Sequence, residues 1–196
     1  MMPQDCDVDL REALKRTAVA LKESGLPFAL SGSYAAWARG APEPSHDVDF
    51  VVAEADAEQA ADWLREAGLQ VERPPEDWLF KVFTDGAMVD VLHRVNGVPV
   101  RRSQLDDVEE LDVISVRMPV QSATVLLEQK LCSLDEHYCD FSTVIPIARA
   151  LREQVDWERL AHHVRGNDFA EVLLDLLGRL GVTDPSLRPA VPATAR

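Results

Sequence analysis

Phe28-Ala29-Leu30-Ser31-Gly32-Ser33-Tyr34, followed after a short loop by His46-Asp47-Val48-Asp49-Phe50-Val51-Val52, is the stretch on which the reading of this chain turns. Phe28-Ala29-Leu30 reads as a short apolar strand running directly into Ser31-Gly32-Ser33, and Tyr34 to Arg39 reads as a brief helix. A glycine at such a turn lets a ligand approach the main chain, and backbone N–H groups at a helix start suit a phosphate. Gly40 to Ser45, with two prolines, is a loop. Asp47 to Val52 then alternates acid and hydrophobe as a half-buried strand does. Side chains two apart on a strand share one face, so Asp47 and Asp49 are expected to reach the same hard cation.

Upstream, Asp9 to Ser24 places Leu10, Leu14, Ala18 and Leu21 at helical spacing and stops at Gly25. Downstream, Asp56 is expected to cap a helix from Ala57 to Ala67 that Gly68 ends. Trp78 to Thr84, Asp85-Gly86 and Ala87 to Arg94 form a hairpin signal, since Asp-Gly is a preferred two-residue turn, and its register sets Lys81 opposite Asp90. Asp90 interrupts the apolar run from Ala87 to Leu92, where a carboxylate is costly unless paired or bound to metal. An ion pair with Lys81 and a metal-ligand role are compatible. Val113 to Val120 reads as a further strand. The pattern then turns helical: Ser122 to Tyr138, Thr143 to Gln154, Trp157 to Arg165 and Phe169 to Leu180. Asp184 to Arg196 is a proline-rich tail expected to be disordered. The fold class expected is α/β (α+β), a small mixed sheet with a helical C-terminal half. It divides into a core over residues 1–120, a helical subdomain over 121–183 and the tail over 184–196.

The chain has 196 residues, 46% of them hydrophobic, enough for one mid-sized domain or for a core with a helical appendage. No apolar run approaches the roughly 20 residues of a membrane helix, and Met1 to Leu10 carries three acids where a secretory signal would be basic and then apolar. Cys6, Cys132 and Cys139 have no zinc-site spacing and leave one thiol over in any disulfide scheme. A cytoplasmic protein with reduced thiols is the expectation. The formal charge of −14 advertises no basic face for nucleic acid, without excluding such a substrate, and favours solubility or a cationic partner, while metal-site carboxylates add to the count.

Ala29-Leu30-Ser31-Gly32-Ser33, Asp47-Val48-Asp49-Phe50 and Val89-Asp90-Val91 together resemble the DNA polymerase β superfamily of nucleotidyltransferases, in order and spacing, over residues 26 to 95. The resemblance implies a nucleotidyltransferase fold and transfer of a nucleoside monophosphate from an NTP to a hydroxyl acceptor, with release of pyrophosphate. It further implies two Mg2+ ions held by Asp47, Asp49 and Asp90, and a triphosphate held at Gly32 and Ser33. Tyr138-Cys139-Asp140-Phe141 is more loosely similar to the ending seen in AbiEii-type and MenT-type toxin nucleotidyltransferases, with Cys139 where those carry a basic residue. That likeness implies the tRNA 3′ end as acceptor and an antitoxin protein as partner. The alternatives are an aminoglycoside-type antibiotic adenylyltransferase, whose cationic substrate suits an acidic cleft, and a catalytically silent nucleotide-binding module.

Lys130 falls inside the apolar stripe Ala123, Leu127, Leu134, Tyr138, with His137 further along. It either snorkels outward or sets a positive charge against the triphosphate. Arg39, Arg101, Arg102, Lys130 and Arg149 are the candidates for a local basic strip, although solvated surface charge is the ordinary fate of such residues. His46 is read as an exposed loop residue, His162-His163 as a helix face, and Trp37, Trp63, Trp78 and Trp157 as core.

Overall fold

The computed structural model describes residues 3–44, 46–84 and 86–184, with side chains from Leu10 onward. The tail from 185, Asp85 of the hairpin turn and the Cys6 side chain lie outside the described residues. The chain divides into two compact units, Met1–Ser122 and Ala123–Arg196.

In the first unit, α1 (Pro3–Ser24) buries Ala13, Leu14, Thr17, Ala18 and Leu21, one stripe of a helix period. It ends as expected: the Ser24 hydroxyl donates to the Leu21 carbonyl at 2.6 Å and Gly25 follows at φ 70°. The strands are β1 (Phe28–Ser31), β2 (Val48–Val52), β3 (Gln70–Glu72), β4 (Leu79–Thr84), β5 (Ala87–Leu92), β8 (Val108–Val113) and β9 (Val116–Gln121), in the order β3-β4-β5-β2-β1-β9-β8. The sheet is mixed, since β2 runs parallel to β5 and β1 to β9 while the other pairs are antiparallel. Arg94–Val95 (β6) and Val98–Pro99 (β7) form a separate small ribbon.

Alternation along the strands sorts the side chains onto two faces. Leu30, Phe50, Val89 and Val91 are fully buried on the face that α1 covers, each worth about 1.5–3 kcal/mol of transfer free energy. α3 (Ala57–Glu66) packs against α1. On the other face Ala29 and Val51 join Ala53, Val100 and Leu105 in a smaller cluster, with Leu92, Val95 and Val108 against it. That cluster covers only part of its face.

Several expectations need correction. A single strand was expected over 113–120, yet two are present: Val108-Glu109-Glu110-Leu111-Asp112-Val113 pairs along its whole length with β9. Ile114 and Ser115 make the turn, both at positive φ, without the glycine or asparagine that would signal it. The Asn96-Gly97 turn of β6–β7, at φ 51° and 76°, carries that signal but was not read as a hairpin. Asp56 makes no side-chain cap for α3, because its carboxylate is held by the Arg102 guanidinium, with Nε at 2.7 Å from Oδ2 and NH2 on Oδ1.

The second unit holds α4 (Ala123–Cys132), α5 (Phe141–Leu151), α6 (Trp157–His163) and α7 (Asp168–Arg179) around Leu127, Leu131, Leu151, Leu160 and Leu177. The side chains of Asp140, Asp156 and Asn167 accept from first-turn N–H groups at 2.9, 3.0 and 3.1 Å, each cap worth about 1 kcal/mol. The helix expected to reach Tyr138 stops at Cys132. Leu134 N–H bonds back to the Leu131 carbonyl, and Asp135 Oδ1 accepts from the N–H groups of His137 and Tyr138 at 2.7 and 2.8 Å. No helix among the described residues is long and apolar enough to cross a membrane.

Candidate active site

Strand register builds the site. Ser31 is opposite Asp49, Asp49 is beside Asp90, Asp90 is opposite Lys81, and Lys81 is opposite Glu72. Partners in register share a face, so Ser31, Asp49, Asp90, Lys81 and Glu72 form one polar row across β1, β2, β5, β4 and β3. It lies on the face that the Val100–Leu105 cluster covers only in part. The Ser31 hydroxyl, buried, donates to Gln121 Oε1 at 2.6 Å, which ties the end of β1 to β9.

Gly32 opens α2 (Gly32–Ala38) at φ 61°. A Cβ there would sit 2.0 Å from Asp49 Oδ2 and 2.9 Å from its Cγ. The Asp49 carboxylate therefore rests on the bare Cα of Gly32. The residue type that gives a phosphate access to the main chain also makes the space for this acid. Ser31, the N-cap, makes no side-chain cap, and first-turn N–H groups have no acceptor within a helix. Ser33, half-buried, is the second residue of that turn.

The expected ion pair is present: Lys81 Nζ lies 3.0 Å from Asp90 Oδ1, with Met88 Sδ at 3.4 Å. Both side chains are half-buried, Lys81 at 27% and Asp90 at 17% exposure. Asp47 departs from the expectation that it stands on the strand with Asp49. β2 begins at Val48, and Asp47 precedes it at φ 50°, exposed. Strand alternation therefore does not place its carboxylate beside that of Asp49. Among the described residues no three His, Cys, Asp or Glu side chains are grouped so as to hold a metal ion.

What the row does offer suits magnesium. It has two hard carboxylates side by side, a cradle that a Cβ would fill, and a lysine ammonium standing where a cation would bind Asp90. Mg2+ is commonly held by one or two carboxylates with substrate phosphates and water completing its shell, so a protein-only cage of three acids is not required.

The remaining candidates separate. Arg39 is buried and anchored, with Nε at 2.6 Å from the Gln121 carbonyl and NH1 at 2.7 Å from Glu109 Oε2. Arg102 holds Asp56, and that hydrogen bond keeps the Asp56 carboxyl below the usual carboxylate range. Arg101, Arg149 and His46 are exposed. Lys130, half-buried near the end of α4, takes the Ser133 hydroxyl on its carbonyl at 2.9 Å, while Tyr138 is 63% exposed and leaves the stripe. His163 Nδ1 pairs with Glu128 at 2.9 Å. Trp63 and Trp78, expected in the core, stand partly in solvent. Trp78 lines a cleft of about 530 Å3 with Asp77, Leu92 and Arg94, and Leu92 is two residues beyond Asp90 on the same side of β5. Sequence reading missed this cleft because Asp77, Leu92 and Arg94 meet only through the hairpin. A second cleft, about 500 Å3, lined by Lys15, Arg16, Gln70, Phe83 and Thr84 among others, holds none of the expected acids.

No protein-family model matches the chain, and no curated protein matches it in sequence. Solved structures do. The antibiotic-resistance factor ANT(2″)-Ia in solution is similar over 87% of this chain and 92% of its own, at 17% identity and a TM-score of 0.50. ANT(2″)-Ia in complex with adenylyl-2″-tobramycin is similar over 87% and 98%, at 14% identity and a TM-score of 0.53. The chain has the nucleotidyltransferase fold. An antigenic nucleotidyltransferase-like protein from Paracoccidioides brasiliensis shares it over 91% of this chain and 90% of that one, at 14% identity and a TM-score of 0.50. At such identities the likeness speaks for the fold, and the nucleotidyltransferase arrangement of strands is what sets Asp49 beside Asp90.

Proposed function

We propose that the protein is a magnesium-dependent nucleotidyltransferase that moves a nucleoside monophosphate from an NTP to a hydroxyl of a small cationic acceptor. The observation that carries this reading is the in-register pair Asp49 and Asp90 with Asp49 seated over Gly32. Asp49 and Asp90, with Asp47 from the adjoining loop, would hold the metal. Magnesium bound there would neutralise the triphosphate and acidify the acceptor hydroxyl. The backbone of Gly32 and the backbone and hydroxyl of Ser33 would orient the phosphates at the start of α2. In the transfer the acceptor oxygen bonds to the α-phosphorus, the bond from that phosphorus to the bridging oxygen breaks, and Asp90 takes the hydroxyl proton.

Charge supports the choice of acceptor. Arg39 and Arg102, two members of the basic strip a tRNA would need, are engaged with Glu109 and Asp56, and the net charge is −14. The tRNA acceptor and antitoxin partner implied by the toxin-like ending therefore rank second. An amino-sugar acceptor matches the net charge of −14, and ANT(2″)-Ia has been seen with adenylyl-2″-tobramycin. The test offers enzyme, Mg2+ and each labelled NTP to an aminoglycoside panel and to tRNA. Label is expected on the aminoglycoside and lost with Asp49→Asn. Label in the tRNA band alone overturns the acceptor, and Asp49→Asn retaining activity within about tenfold overturns the site.

A further inference from the structure

We infer that Lys81 is a resident counter-ion that occupies Asp90 in the metal-free protein and passes to Glu72 when a divalent cation arrives. The inference rests on the reading of Asp49 and Asp90 as metal ligands and adds a residue that this reading leaves without a task. Lys81 sits in the middle of β4 with a carboxylate opposite it on each side: Asp90 on β5 and Glu72 on β3. Residues opposite each other in an antiparallel pair carry Cβ atoms about 4.5–5.5 Å apart, so one lysine stem serves both neighbours by a change of rotamer.

The present contact is to Asp90, 3.0 Å from Nζ to Oδ1. Glu72 is exposed and takes the Gln70 amide on Oε1 at 2.7 Å, which orients its carboxylate at the sheet edge. An ammonium and a divalent cation cannot share Asp90 without strong repulsion. In a half-buried site that repulsion is poorly screened, so a bound cation favours displacement of Lys81 from Asp90 Oδ1. Glu72 lowers the cost of that displacement by receiving the charge. Divalent binding to the bare protein is therefore weak by construction, and a cation arriving with a triphosphate, which supplies further ligands, is favoured over the free ion.

The experiment titrates Mn2+ into the nucleotide-free full chain and follows free Mn2+ by EPR, with thermal melts of each variant to confirm folding. Lys81→Met should tighten Mn2+ binding by roughly three- to fivefold, the scale of one partly exposed ion pair, whereas Lys81→Arg should stay within about twofold of wild type. Glu72→Gln should weaken binding about threefold with Lys81 present and have a clearly smaller effect in the Lys81→Met background, a coupling that a general loss of negative charge does not produce. Equal affinity for wild type and Lys81→Met, or additive effects of the two substitutions, overturns the inference. Asp90→Asn separates it from the reading beneath. If that change leaves Mn2+ binding intact, both the metal site and the counter-ion role fall. If it abolishes binding while Lys81→Met tightens nothing, only the counter-ion role falls.

Discussion

Replacing Gly32 by alanine tests whether the first turn of α2 and the carboxylate of Asp49 were built for each other. Two costs arise. At φ 61° a Cβ brings about 1–2 kcal/mol of left-handed strain. The same Cβ would lie 2.0 Å from Asp49 Oδ2, more than about 1 Å inside ordinary contact, and overpacking of that kind costs roughly 1–3 kcal/mol. The sum, roughly 2–5 kcal/mol, corresponds to a melting temperature lower by roughly 4–20 °C. Asp49 sits within a strand paired on both sides, so its backbone cannot yield and its side chain must rotate away. A ligand moved by about 1 Å is expected to cost transfer about a hundredfold.

A double-mutant cycle isolates the steric part. Asp49→Ala removes the carboxylate and keeps only the Cβ, 3.1 Å from the added methyl, so Gly32→Ala should cost about 1–2 kcal/mol in that background, the backbone strain with a small residual contact. Urea melts of the four proteins provide the measurement. A cost for Gly32→Ala within about 0.5 kcal/mol in the two backgrounds, or no loss of transfer with Asp49 present, would refute the reasoning.

Other expectations follow from neighbouring contacts. Asp47→Gly should leave stability unchanged or raised by up to about 1 kcal/mol, because φ 50° is open to glycine, yet should abolish transfer; full activity would remove Asp47 from the metal site. Asp56 has its folded pKa lowered by the Arg102 hydrogen bond, so its contribution is present above the unfolded value near 3.9 and fades as pH falls through the lower folded value. Urea melts should accordingly show Arg102→Met less stable than wild type at pH 7 and the difference closing towards pH 3, whereas a gap that persists in acid would assign the loss to packing.

The parts of the fold legible in the sequence are those fixed by short-range patterns. Phe28 to Ser33, the strand from Val48 and the Asp-Gly hairpin each carry their apolar period and their turn residue within about ten positions, and the 81–90 pairing follows from the hairpin alone. Where the local signal is weak or contrary, the reading misses. β8 is written Val-Glu-Glu-Leu-Asp-Val, and its acids sit on an edge strand whose pairing comes entirely from β9 across an Ile-Ser turn. α4 ends at Cys132 without glycine or proline, the stop coming from Asp135, whose side chain takes two backbone N–H groups.

The site divides along the same line. Asp49 and Asp90 could be picked out because each is an acid inside an apolar strand, but their adjacency is a property of the sheet order, in which β5 crosses to lie beside β2. The Asp49–Gly32 contact joins residues 17 positions apart through the antiparallel β1–β2 pair, and nothing in a linear pattern distinguishes it from a glycine kept for its turn alone. Arginines were the least legible of all: Arg39 reaches Glu109, 70 positions away, and Arg102 reaches Asp56, 46 away. A composition of −14 reads as unopposed acid, but tertiary pairing buries Arg39 against the carbonyls of Gln121 and Val120 and ties the exposed Arg102 to the buried Asp56. The cation left in the acidic row is Lys81, held between two carboxylates, and for that reason the chemistry of this face is controlled by which positive charge occupies Asp90.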